Sequence, residues 1–290
     1  MNKFNKKFDF FEQLKQSYPE LTRSSRKICD YLLENAAKAQ YLSISSLAKE
    51  CNVAEATIFR FCKTMGFEGY NELKIALAKA CATSDSTQYY TTYGEATPDE
   101  PFDHLCDRLC MANMDALKQT RERIEPDAFN QAVSMLCEAN RVYCFGQGGS
   151  MIMAMEAWNR FLTISDKFHA VWDNHLQSMT ASLMNDQDVI LFLSYSGSTR
   201  DMIDTLRPAR ERGARVILIT HEKDSPAAKM ADAVLLCGAT EGPFQSASIS
   251  TKVALLFVID ILVGEFCRRN LMQCIENREA TTDALSSRHL

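Results

Sequence analysis

Apolar residues recur at helical spacing along the first 80 residues, lose that periodicity over residues 81–101, and afterwards alternate between short apolar runs and helical stripes. Phe4, Phe8, Phe11 and Leu14 fall roughly on one side of a first helix over 4–14. Ile28, Tyr31, Leu32 and Leu33 mark a second that fades by Ala39. A short third helix opens at Ser43, Cys51-Asn52-Val53 turns the chain, and residues 54–65 form a fourth helix that Gly66 stops. Two short helices joined by so tight a turn have the pattern of a helix-turn-helix.

Thr, Ser, Tyr, Gly and Pro dominate residues 81–101, the composition of a linker between a helical domain at 1–80 and a second domain at 102–285. Its tyrosines, Tyr89, Tyr90 and Tyr93, suggest that part of it packs on a domain or a partner chain. Residues 102–123 and 126–138 then read as helices, the latter with Pro126 at its start. Strand-like runs follow at 141–145, 167–171, 189–193, 214–220 and 233–236. Between and after them lie helical stripes through Met155, Trp158 and Leu162, from Thr199 through Met202, Ile203, Leu206 and Ala209, over 226–230, and over 248–270. This alternation predicts an α/β fold in the second domain, a five-stranded parallel sheet with helices on both faces, and a flavodoxin-like sheet of this kind has the strand order 2-1-3-4-5.

Two loops of that domain carry candidate chemistry. Ser194-Tyr195-Ser196-Gly197-Ser198-Thr199 lies between the 189–193 strand and a helix start, where unpaired backbone N–H groups and partial positive charge favour an anion. Ser194, Ser196, Ser198 and Thr199 add hydroxyl donors, and Gly197 lets the backbone come close to a ligand. Hydrogen bonds to a charged group are worth roughly 1.5 to 3 kcal/mol each, so a few could hold a phosphate without lysine or arginine. Taken alone, the stretch is equally an ordinary serine-rich turn with an N-cap. Gly146-Gln147-Gly148-Gly149-Ser150 follows the 141–145 strand; its glycines are out of register with a dinucleotide fingerprint. In the order 2-1-3-4-5 both loops face one crevice at the topological switch point.

Charge and composition sharpen the picture. At 290 residues and 46% hydrophobic, the chain has room for two domains and a sizeable core. The net charge of −5 points to no nucleic-acid partner, but residues 1–80 hold 13 Lys and Arg against 9 Asp and Glu, a local balance of +4. The second helix of a helix-turn-helix lies in the major groove with its N-terminal residues nearest the bases. Here those are Glu55, Ala56, Thr57 and Arg60, with Lys63 farther along. Arg60 suits guanine or a phosphate, Thr57 a phosphate or a thymine methyl, and Glu55 a cytosine amine. Ile58, Phe59 and Phe61 cannot all be exposed, so part of this helix is core. Ser43, Ser45 and Ser46 suit caps and phosphate contacts. A helical hairpin that binds only protein is the alternative.

Eleven cysteines without a C-x-x-C pair, and a start without the apolar core of a signal peptide, lead to the expectation of reduced thiols in a cytoplasmic protein. Cys106 and Cys110 stand at helical spacing, but no second pair with histidine completes a metal site, so neither metal nor cofactor is expected. The apolar run 253–263 is too short to span a bilayer and contains Asp260; a buried helix is expected, and no membrane role.

The run Val53-Ala54-Glu55-Ala56-Thr57-Ile58-Phe59-Arg60-Phe61-Cys62, with Gly66-Phe67-Glu68-Gly69-Tyr70 and Glu72-Leu73-Lys74, resembles the N-terminal domain of the RpiR family of bacterial transcription regulators. The C-terminal half resembles the sugar isomerase (SIS) domain that those regulators carry, and the two likenesses span about residues 1–285. One departure is Ala54, where the family commonly places a serine that would cap the helix and contact a phosphate. The resemblance implies an SIS fold and a sugar-phosphate effector site. Ser194, Ser196, Ser198 and Thr199 match its phosphate loop, and Gly148 and Ser150 match the first-strand loop that lies against the sugar. Glu241 stands before the last long helix, where related domains place a glutamate near sugar hydroxyls or ring-opening chemistry; Ser248 and Lys252 correspond to the start of that helix. The expected partners are double-stranded operator DNA, a phosphorylated sugar or amino sugar, and further copies of the chain in a dimer or tetramer. The second reading is an aldose-ketose sugar-phosphate isomerase with Glu241 or His175 as base, Asp173 and His175 forming either a proton shuttle or a surface pair. A second catalytic group is not evident, and a helix-turn-helix has no role in isomerisation.

Overall fold

The computed structural model describes residues 10–81, 100–239 and 248–286. The chain divides into two compact units that part between Asp107 and Arg108. The first is helical: α1 Phe10–Ser17, a 3-10 turn Tyr18–Glu20, α2 Arg23–Glu34, α3 Ala36–Ala39, α4 Ile44–Glu50, α5 Glu55–Thr64 and α6 Tyr70–Cys81. Phe10, Leu14, Ile28, Leu32, Leu47, Ile58, Phe61 and Leu73 form its core. Residues 4–9 of the expected first helix lie outside the described residues, as do Tyr89, Tyr90 and Tyr93. The expected second helix ends earlier than its apolar stripe, because Asn35 leaves helical geometry (φ −124°, ψ 29°) and α3 is a separate turn. Helix α6 is not among the expected helices; its alanine-rich sequence buries only Leu73, Leu77 and Ala78.

The rest of the chain forms α7 Phe102–Arg123, α8 Pro126–Glu138, β1 Arg141–Gly146, α9 Gly149–Leu162, β2 Phe168–Ala170, α10 Asn174–Ser182, β3 Asp188–Leu193, α11 Arg200–Glu211, β4 Arg215–Thr220, β5 Ala233–Leu236, α12 Ile249–Arg269 and α13 Leu271–Ser286. All strand pairs are parallel and the order is β2-β1-β3-β4-β5. Alternate strand residues serve two cores. Val142, Cys144, Val189, Leu191, Ile217 and Ile219 pack with Ala154, Ala157, Val258 and Leu262 of α9 and α12 on one face. Phe145, Ile190, Phe192, Val216 and Leu218 pack with Ala181, Met202 and Leu206 of α10 and α11 on the other. With both faces covered, every residue of β3 is buried, which explains its unbroken apolar run.

The stripe expected as a helix at 226–230 is instead a single 3-10 turn, Ala228–Met230: Ser225 Oγ accepts from Ala228 N (3.2 Å) and Met230 N returns to Ala227 O (3.0 Å), leaving too few residues before β5 for a second turn. The 253–263 run lies within α12, where Ala254, Leu255, Val258, Ile259, Leu262 and Val263 are buried. Among the described residues no helix is long and apolar enough to cross a membrane.

Candidate functional site

In the helical unit, Ser43 caps α4 by accepting from Ser46 N (3.0 Å). Asn52, at φ +49°, reverses the chain after α4, and Val53 N reaches back to Ala48 O (2.9 Å), as in a helix C-cap closed by a left-handed residue. Ala54 then has the extended conformation of an N-cap (φ −77°, ψ 151°) without a side-chain acceptor. Helix α5 turns Ile58, Phe61 and Cys62 into the core and leaves Phe59 47% exposed, with the Lys63 ammonium 5.5 Å from its ring centre. Ala56, Arg60 and Lys63 are exposed on one side of the helix, and Arg60 donates to Thr57 Oγ1 at 3.4 Å. The structure brings Ser45 and Glu55 together: Ser45 Oγ donates to Glu55 Oε1 at 2.7 Å, bracing the first turn of α4 against that of α5.

In the α/β unit, Gly146 pairs with Leu193, so the loops after β1 and β3 leave neighbouring strands side by side, where the strand order reverses. The serines of the second loop are not equivalent. Ser194 is buried and its Oγ accepts from Gly197 N (3.2 Å), so this hydroxyl shapes the loop. Ser196 and Ser198 are half-buried; Ser196 Oγ accepts from Ser198 N (3.4 Å) and Ser198 Oγ donates to Ser196 O (3.0 Å). Thr199 is exposed at the N-cap of α11 and makes no side-chain cap bond. Gly197 stands at φ +57°, and a Cβ there would meet Ser225 Oγ at 2.2 Å. Its carbonyl accepts from Ala227 N (3.0 Å), fastening the loop to the segment after β4.

The first loop is held as closely. A Cβ on Gly146 would lie 2.6 Å from the Ser150 carbonyl oxygen, and Gly148 (φ +55°, ψ −126°) is the N-cap of α9 with Ser150 half-buried in its first turn. Buried Gln177 of α10 donates to Gly146 O (2.9 Å) and Val171 O (2.7 Å), joining the ends of β1 and β2. Gln147 leaves both polar atoms of its amide buried without a hydrogen-bond partner.

Sequence reasoning missed what surrounds Tyr195. Its hydroxyl donates to Ala239 O (3.0 Å), and its ring stacks on His221, centroids 4.9 Å apart and planes 15° apart. Arg123, at the end of α7, donates to His221 O (2.6 Å) and Cys237 O (2.7 Å) and lies 2.9 Å from His221 Nδ1. A guanidinium only donates, so Nδ1 accepts and the imidazole proton is assigned to Nε2; the 3.2 Å approach of Nδ1 to Cys237 O is then a meeting of two acceptors bridged by Arg123. Burial, with the Arg123 charge second, pushes the His221 pKa down.

Glu241 lies outside the described residues. Ser248 caps α12 by accepting from Thr251 N (3.1 Å), one residue before Lys252. Asp173 caps α10 by accepting from Leu176 N (3.0 Å), which gives this carboxylate a structural task, and His175 is exposed in the same helix.

A helix-turn-helix unit followed by a parallel sheet with paired Gly/Ser loops at its switch point is the architecture of a transcription regulator with an SIS domain. Residues 8–84 match the family profile described as helix-turn-helix domain, rpiR family, and residues 135–264 match that of the SIS domain. The chain belongs to the RpiR family of transcription regulators. It is 31% identical to an uncharacterized HTH-type transcriptional regulator of Clostridium perfringens over 94% of this chain and 98% of that one. It is 29% identical to the regulator HexR of Pseudomonas aeruginosa over 91% of each chain. Among solved structures, the Vibrio vulnificus NanR protein complexed with ManNAc-6P aligns with a TM-score of 0.84 at 26% identity, over 96% of this chain and 98% of that chain.

Proposed function

We propose that this regulator binds operator DNA through α5 as a cytoplasmic homo-oligomer, that a phosphorylated sugar or amino sugar held by the 146–150 and 194–199 loops sets its operator affinity, and that it turns over no substrate. The observation that carries the reading is the adjacency of the two loops on β1 and β3, with the start of α11 at the second. Ser196, Ser198, Thr199 and the first-turn amides of α11 would take the phosphate, and Gly148, Ser150 and Glu241 the sugar. Ser194 contributes by holding Gly197 in place. Ala56, Thr57, Arg60 and Lys63 would face DNA, with Ser45 and Glu55 positioning the helix that carries them. The ManNAc-6P of NanR favours a hexosamine phosphate as the first ligand to try. Half-site recognition by two such helices calls for at least a dimer. Asp173 accepts from Leu176 N through Oδ1 as the cap of α10, which supports the structural side of the Asp173 and His175 alternative.

Fluorescence-anisotropy titration of the full chain onto the DNA upstream of its own gene, with and without ManNAc-6P and a panel of hexose and pentose phosphates, tests this. Saturable, sequence-preferring binding that one sugar phosphate shifts is expected. Ser196→Ala should weaken that ligand about tenfold or more, the worth of one hydrogen bond to a charged group, and Arg60→Ala should weaken the DNA. Conversion of a sugar phosphate without specific DNA binding would establish the isomerase instead.

A further inference from the structure

Residues 237–239 are gripped from two sides. From α7, Thr120 Oγ1 accepts from Gly238 N (2.9 Å), Gln119 Oε1 accepts from Ala239 N (3.4 Å), and Arg123 donates to Cys237 O (2.7 Å). The approach is close: a Cβ on Gly238 would lie 2.5 Å from Thr120 N. From the 194–199 loop, Tyr195 donates to Ala239 O (3.0 Å) while its ring rests on His221, whose own carbonyl Arg123 holds at 2.6 Å. Between the two grips Ala239 stands at φ +83°, a left-handed conformation that a residue with a Cβ keeps only when its surroundings impose it.

We infer that Tyr195, Ala239, His221 and Arg123 form a spring-loaded clasp that passes occupancy of the 194–199 loop to α7. The inference rests on the phosphosugar reading and adds the route by which that site is heard. A ligand hydrogen-bonded to Ser196 and Ser198 moves the backbone next to Tyr195, and the Tyr195 hydroxyl is the loop's hold on Ala239. Once that hold loosens, Ala239 relaxes to negative φ, which is a switch between two backbone basins and not a gradual shift. The consequence reaches α7, whose Thr120, Gln119 and Arg123 hold the same three residues and which follows the 81–101 stretch along the chain. A ligand acts on DNA only through its different affinity for two such states, and the clasp supplies them.

The test uses the full chain and two variants that load the spring in opposite senses. Tyr195→Phe keeps the ring on His221 and removes the hydroxyl, favouring release; Ala239→Gly removes the strain, favouring the closed clasp. The readout is operator affinity with and without saturating ManNAc-6P, or whichever panel member shifts the wild-type protein. Coupling between two sites is typically about 5- to 150-fold, and each variant should bring the wild-type ratio to within about twofold of unity. Without ligand, the two variants should move operator affinity in opposite directions, which mere loss of packing would not do. By linkage, the same loss must appear in ligand affinity measured with and without DNA. Should Tyr195→Phe fail to fold, Ala239→Gly carries the test, since glycine accepts φ +83° freely. A wild-type ratio in both folded variants overturns the clasp and leaves the phosphosugar reading standing. A wild-type protein that answers to no sugar phosphate brings down that reading and the clasp with it.

Discussion

Replacing Gly197 with alanine should cost the α/β unit about 2 to 5 kcal/mol, from two separable causes. The first is conformational: at φ +57° an L-residue pays about 1 to 2 kcal/mol for the left-handed basin. The second is steric. The new methyl would stand 2.2 Å from Ser225 Oγ, 2.7 Å from Ser225 Cβ and 3.3 Å from Thr220 Oγ1. Ser225 cannot simply swing aside, because it is buried and its Oγ accepts from Ala228 N at 3.2 Å. Overpacking of this kind costs about 1 to 3 kcal/mol. Both tryptophans, Trp158 and Trp172, belong to the α/β unit, so denaturant unfolding of the full chain followed by tryptophan fluorescence reports on that unit. A double-mutant cycle separates the causes. In a Ser225→Gly background the two contacts under 3 Å are gone and only Thr220 Oγ1 at 3.3 Å remains, so Gly197→Ala should then cost little beyond its conformational share, which leaves a coupling of about 1 to 3 kcal/mol between the two positions. Gly148→Ala isolates backbone strain, since nothing lies within 4 Å of its Cβ, but in the φ +55°, ψ −126° conformation that glycine alone adopts readily, so it reports a different basin from the left-handed one. Costs at 197 and 225 that add within about 0.5 kcal/mol would refute the close approach as the reason for glycine.

Two further outcomes follow from local geometry. Ala54→Ser should stabilise the helical unit by about 0.5 to 2 kcal/mol, because the N-cap backbone of α5 is already extended and lacks only the acceptor; a thermal melt followed by far-UV circular dichroism checks it, and no rise would mean that the cap position is not limiting. The lowered His221 pKa makes the folded state bind fewer protons than the unfolded one below the ordinary histidine value of 6.5, so its stabilising contribution is present above that pH and lost as pH falls through the folded value. Unfolding free energies across that range should rise with pH and lose part of the slope in His221→Gln; an unchanged slope would show that the imidazole next to Arg123 is not the group that titrates.

The strands were legible because burial on both sheet faces leaves few residue types that fit, and that constraint acts on consecutive residues such as Val189 to Leu193. Helix α12 was legible for a similar reason, with eight buried residues along one side. Helices α10 and α13 were not, since α13 buries only Cys274 and α10 only Gln177 and Ala181, too few to print a stripe. Candidate hydroxyls could be read from composition, but not which of them the fold consumes. Ser194 and Ser196 are two residues apart in the same Ser-rich loop, yet one is buried against Gly197 N and the other half-exposed. Ser45 and Glu55 each read as a DNA contact, but not as partners of one another, which the turn between α4 and α5 makes them at 2.7 Å.

What fixes the two loops lies 25 to 31 residues away along the chain: Thr220 Oγ1 donates to Tyr195 O, and Gln177 donates to Gly146 O. Ser225 stands against Gly197, and Ala227 N closes on the Gly197 carbonyl. Such tethers draw no periodic signature, because each is a single contact between loops whose own sequences are short. Their effect is that both loops are positioned by contacts from elsewhere in the sheet unit and not by their own short sequences. Ala239 is the one non-glycine residue among those described, apart from the turn residue Asn52, that is held at positive φ, and the loop's Tyr195 is bonded to it. If the clasp holds, a movement at Ser196 and Ser198 reaches the strained Ala239 through the Tyr195 hydroxyl bonded to its carbonyl.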